Sequence, residues 1–140
     1  MKFKKILMIA GAFFFFTPSV YAETSAAQLF EAKCASCHVK TRPDDISTLV
    51  APPIMGVARH VKMTYRTKEE AVNFITDYVL DPQESKAVCM PGKLKYFGLM
   101  PSQKGQVSKD ELNTIAGWIY DNFGSQGQGQ GFGREKACQE

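Results

Sequence analysis

The chain is expected to fold as an all-α domain. Three stretches carry the helix-opening signature of a Ser or Thr followed three residues later by Gln or Glu, at Ser25/Gln28, Thr67/Glu70 and Ser108/Glu111. In that pattern two side chains satisfy two otherwise unpaired amides reciprocally. Apolar residues then recur at intervals of three and four, as one face of a helix requires. No strand pattern and no internal repeat stands out.

The first helix is predicted from Ala26 to about Cys34, with Ala26, Leu29, Phe30 and Cys34 on one face. Val39 to Val50 reads as a loop, turned at Arg42-Pro43-Asp44-Asp45. Ala51-Pro52-Pro53-Ile54-Met55-Gly56-Val57 reads as a continuation of it, because proline can neither continue a helix nor donate a backbone hydrogen bond. The next helix follows Thr67 and presents Ala71, Phe74, Ile75 and Tyr78. It should stop at Leu80, before Asp81-Pro82. Pro91 to Phe97 is a short helix that Gly98 would end. The last helix follows Ser108, with Leu112, Ile115, Ala116, Ile119 and Phe123 on its apolar face and Gly124 as its stop. Gly117, inside it, costs about 1 kcal/mol relative to Ala. Close approach of the first helix would explain its presence. The loops are long for a compact helical domain, which points to a cofactor filling the space between them.

Residues 1–22 read as a secretory signal peptide. Lys2, Lys4 and Lys5 precede the apolar run Ile6 to Phe16, and Val20-Tyr21-Ala22 is a small-x-small cleavage site. Residues 23–124 form the expected domain, and the Gly/Gln-rich stretch 125–140 a flexible tail. The mature protein is expected to be exported, soluble and periplasmic, with no membrane span once the signal is cleaved. Taking the three signal lysines from the 17 basic residues leaves 14 against 14 acidic ones. A near-neutral chain gives no reason to expect a nucleic-acid partner. The charges are nevertheless segregated: Lys86, Lys93, Lys95, Lys104 and Lys109 follow one another with no acid between Ser85 and Lys109.

The chemistry concentrates in Cys34-Ala35-Ser36-Cys37-His38. A Cys-x-x-Cys-His run reads as a c-type haem attachment site. Two thiols at that spacing can bond to the two vinyl-derived carbons on one edge of a porphyrin, and His38 can then give the iron an axial nitrogen. Two other readings compete. A thioredoxin-like dithiol wants a βαβ pattern around the motif, which is missing. Structural zinc wants two more ligands at matching spacing, whereas Cys89, Cys138 and His60 are scattered. A ligating His needs an acceptor for its other ring N–H, and the Pro52 carbonyl is the candidate. His60 reads as solvent-facing or bonded to a haem propionate, with ligation of the iron as the lesser alternative. Cys89 and Cys138 would share an oxidising compartment, so they are either bridged or two free thiols.

Over roughly Ser25 to Phe123 the chain resembles the class I cytochromes c. Phe30 matches the aromatic ahead of the haem motif, and Ala51-Pro52-Pro53-Ile54-Met55-Gly56 the Gly-Pro-x-Leu-x-Gly stretch, with Ala for the first Gly and Ile for Leu. Met100-Pro101 matches the Met-Pro pair before the last helix, and Trp118 the aromatic that packs back on the first. Ala26 stands where a small residue marks the helix crossing. The resemblance implies three main helices, a short helix and loops around one covalent haem c. It implies Cys34 and Cys37 as attachment points, Pro52 as the acceptor for the His38 ring, and His38 with a Met as axial ligands. The sequence holds a second Met-Pro pair, Met90-Pro91, so Met100 is the expected ligand and Met90 the runner-up.

Six-coordinate iron leaves no position for substrate. The expected function is transfer of single electrons between redox proteins, one of them with an acidic docking surface, rather than enzymic turnover. The alternatives are a haem enzyme or gas- or peroxide-reactive protein with an open axial site, and an electron-entry subunit of a larger oxidoreductase.

Overall fold

The computed structural model describes residues 25–88 and 91–124. Residues 1–24, which include the expected signal peptide, and Cys89, Met90, Cys138 and the Gly/Gln-rich stretch lie outside the described residues. Within them the chain is all-α: α1 (Ala26–Lys33), α2 (Ile54–Thr64), α3 (Lys68–Leu80), α4 (Pro91–Phe97) and α5 (Lys109–Asn122), with short 3₁₀ turns at Ile46–Thr48 and Glu84–Lys86. Among the described residues the only sheet-like pairing is an isolated bridge between Lys104 and Val107.

All three capping boxes form, on α1, α3 and α5. At α5, for example, the Glu111 amide donates to Ser108 Oγ at 3.2 Å while the Ser108 amide donates to Glu111 Oε2 at 2.8 Å. Gly98 takes φ +76° and closes α4, its amide donating to the Leu94 carbonyl at 2.8 Å.

Helix α2 was not expected. Pro52 and Pro53 end the loop rather than extend it, because Pro53 stands at the N-cap, a position that needs no amide. No side chain caps the helix, so it has no opening signature. Its periodic signal was present all the same: Ile54, Ala58 and Val61, four and three apart, are its buried residues.

Helix α5 is the centre of the fold and packs against α1, α2 and α3. Leu112, Ile115 and Ile119 meet Phe30 of α1, Ile54 and Ala58 of α2, and Val107 in one core. Phe30 is fully buried, with the Trp118 ring centroid 5.2 Å away and that of Phe123 6.3 Å away. The α1–α5 contact therefore rests on these rings, and Gly117 is not what permits it. A Cβ at Gly117 would meet only Lys68 Cε of α3, at an ordinary 3.7 Å. Gly117 and Ala26 instead line an open groove of about 720 Å³ between α1, α3 and α5. The close approach belongs to Gly124. A Cβ there would lie 2.7 Å from both the Ala58 carbonyl carbon and the Arg59 amide nitrogen.

Candidate functional site

Cys34 is the C-cap of α1, its amide donating to the Phe30 carbonyl at 2.9 Å. The chain then turns tightly, the Cys37 and His38 amides both donating to the Cys34 carbonyl, at 3.2 and 2.9 Å. Both cysteines are free thiols, Cys34 half-buried and Cys37 exposed. Burial, and secondarily the neighbouring Cys37, pushes the Cys34 thiol up to about 11. The C-terminal end of a helix disfavours a thiolate for the same reason that it favours cations.

His38 Nδ1 lies 2.8 Å from the Pro52 carbonyl oxygen. A carbonyl can only accept, so Nδ1 carries the proton, and in the neutral ring the lone pair sits on Nε2. Burial holds the imidazole below its ordinary pKa, opposed in part by the bond to Pro52. The ring is therefore a neutral, oriented donor at Nε2 near neutral pH, the state in which histidine binds metals.

Two further contacts fix the strand of chain that carries it. The Ile54 amide, at the start of α2, donates to the Val39 carbonyl at 2.9 Å. Lys40 pairs with Glu31 of α1, and its Nζ stands 5.9 Å from the Phe30 ring centroid and 5.6 Å from that of Trp118. Lys40 escaped notice in the sequence, where a lysine in a polar loop carries no signal of a ring on either side.

Met100 is half-buried. The residues after it tie it to α3: Ser102 Oγ donates to the Leu80 carbonyl at 2.6 Å, and the Gln103 amide to the Val79 carbonyl at 3.0 Å. Lys33 Nζ, at the end of α1, donates to the Gln106 carbonyl at 3.0 Å. The loop from Met100 to Val107 is thus pinned to the ends of both α1 and α3. Ser102 was legible only as a residue following proline.

Six large apolar side chains are exposed among the described residues: Ile46, Val50, Met55, Met63, Tyr96 and Leu99. They fall in two stretches, 46–63 and 96–99, both between His38 and α5. Among the described residues no group of three or more His, Cys, Asp or Glu side chains is gathered that could hold a metal ion. Also among them, no helix is long and apolar enough to cross a membrane.

The chain is 30% identical over 109 residues to an uncharacterized protein of Aquifex aeolicus (strain VF5), a match covering 69% of this chain and 72% of the relative. The two proteins belong to one family. No family model and no solved structure matches the chain.

Proposed function

We propose that the protein is a mono-haem c-type cytochrome that carries single electrons between redox partners in the periplasm. The observation that carries this is the bond from His38 Nδ1–H to the Pro52 carbonyl at 2.8 Å, immediately after a Cys-x-x-Cys pair of free thiols. That bond leaves Nε2 as the ring's ligating atom and fixes the plane of the imidazole.

The residues present suit the group. Cys34 and Cys37 would hold it covalently, and His38 Nε2 and the Met100 sulfur would hold its iron. Val50, Tyr96 and Leu99 are exposed apolar side chains, of the kind a large apolar ligand would cover. The haem, when bound, supplies a one-electron Fe(III)/Fe(II) couple, whose potential His/Met ligation raises. The chain's own work is to orient and exclude. Pro52 holds the His38 ring. Lys40, on the Phe30 and Trp118 rings, holds the segment that carries it. Ser102 and Gln103 hold the loop of Met100. No acid–base or nucleophilic residue is required.

The competing chemistries fit less well. A redox dithiol needs an acidified nucleophile, typically at a helix N-terminus or beside a cation. Cys34 lies at the opposite end of its helix, half-buried, with its pKa raised. Structural zinc needs a tetrahedral donor set, which the described residues do not gather.

Oxidised and reduced visible spectra of the purified protein test the assignment of the axial ligands. A low-spin spectrum with the signature of thioether ligation, lost in Met100→Ala, is expected. A wild-type spectrum with an open sixth position would move the function to the gas- or peroxide-reactive class.

A further inference from the structure

His60 lies in the middle of α2. Its Nδ1 is buried and has no hydrogen-bond partner among the described residues, whereas buried polar side-chain atoms are ordinarily paired. Its backbone is not in deficit, since Thr64 Oγ1 donates to the His60 carbonyl at 3.1 Å. The charges that bear on the ring are both positive: Arg59, next to it on α2, and Lys93 from α4. Both of those residues are exposed. Two exposed cations thus act electrostatically on a ring whose buried Nδ1 has no partner among the described residues. Guanidinium and ammonium groups only donate, and an imidazole N–H does the same. What completes such a set is an acceptor that carries negative charge.

We propose that His60, Arg59 and Lys93 form an oxyanion site, in which His60 Nδ1–H donates to one oxygen of a carboxylate or phosphate group and the two cations neutralise its charge. One source of that chemistry is the porphyrin's own propionate, which rests on the function proposed above. The other is free inorganic phosphate, which does not. Burial first, and the two cations second, hold the imidazole below its ordinary pKa. A bound anion opposes the second cause and raises it. By linkage, a ligand that raises the pKa by one unit binds about tenfold more tightly to the protonated ring.

The experiment uses the mature chain as purified, reduced and labelled with ¹⁵N in its histidines. The imidazole shifts are followed against pH with and without inorganic phosphate. The chain has two histidines, and the exposed substitution Lys93→Gln marks the His60 signal by shifting it. If a propionate fills the site of the haem-loaded protein, the His60 pKa lies above that of the haem-free chain and phosphate does not move it. If the anion is free, phosphate raises the His60 pKa saturably, and Lys93→Gln weakens phosphate binding at least fivefold. In a preparation without haem, only that saturable response sustains the site. A His60 pKa that neither haem loading nor phosphate raises overturns the proposal. Absence of covalent haem, by contrast, overturns the functional proposal alone.

Discussion

Three glycine-to-alanine substitutions separate backbone conformation from space, and the structure assigns each a different sign or size. Gly117 lies inside α5, where a Cβ meets only Lys68 Cε at 3.7 Å. Alanine there recovers helix propensity and should stabilise the protein by about 0.5–1 kcal/mol. Gly98 has φ +76° and nothing within 4 Å of a Cβ. Alanine costs about 1–2 kcal/mol for the left-handed conformation, offset by about 0.4–1 kcal/mol from a less free unfolded chain. The net loss is about 0–1.6 kcal/mol. Gly124 has φ +73° and adds contacts of 2.7 Å to the Ala58 and Arg59 backbone. Backbone atoms cannot swing aside as the end of a side chain can, so α2 and the end of α5 must separate. Overpacking of this kind adds about 1–3 kcal/mol, for a total of about 1–4.6 kcal/mol. Urea unfolding followed by far-ultraviolet circular dichroism measures all three, with ΔG taken from the midpoint at unchanged slope. A Gly124→Ala variant no weaker than Gly98→Ala would refute the close packing of α5 on α2. A destabilised Gly117→Ala would restore the helix crossing that its position in the sequence suggested.

Ser102→Ala removes the bond to the Leu80 carbonyl. It should cost about 0.5–1 kcal/mol by urea unfolding and, in the haem-loaded protein, weaken the thioether signature. Lys86 Nζ pairs with Asp77 at 2.9 Å and Asp81 at 2.8 Å, and its bond to Asp81 holds that carboxyl below its ordinary value. A depressed carboxyl contributes stability above its unfolded pKa of 3.8 and loses it as pH falls through the folded value. Lys86→Met should therefore flatten the acid side of the stability profile below about pH 4, and an unchanged slope would deny the pairing in solution. Transfer to an acidic redox partner should slow with rising salt, because exposed charges are screened within about 10 Å at 0.1 M. The triple Lys→Gln variant at Lys93, Lys95 and Lys104 should lose that dependence, and a salt-independent wild-type rate would leave these lysines as a solvated face.

The sequence disclosed the helices that announce themselves. Ser25, Thr67 and Ser108 each bond the third amide on, so local chemistry alone placed the starts of α1, α3 and α5. Helix α2 announces nothing. It opens at Pro53 without a side-chain cap, and two prolines outweighed the spacing of Ile54, Ala58 and Val61. The Cys-x-x-Cys-His run and the need of a ligating histidine for an acceptor point to Pro52 from the sequence alone, because both follow from bonding rules. The supports of that site were illegible for the opposite reason. Lys40 reaches Trp118, and Ser102 reaches Leu80, through contacts distant in sequence and free of any motif. Gly117 and Gly124 show the same limit. One glycine sits in a helix without the tight crossing it suggested. The other reads as an ordinary stop, yet it is where a Cβ would strike the neighbouring helix.

The claim on which the proposed function depends is a haem bonded to Cys34 and Cys37, and a denaturing gel stained for haem tests it most directly. The wild-type protein, produced in a host that attaches haem c, should keep the stain at the position of the chain after boiling in detergent. The Cys34→Ser, Cys37→Ser double variant should show none. No stain in the wild type, or stain at wild-type level in the double variant, would contradict it.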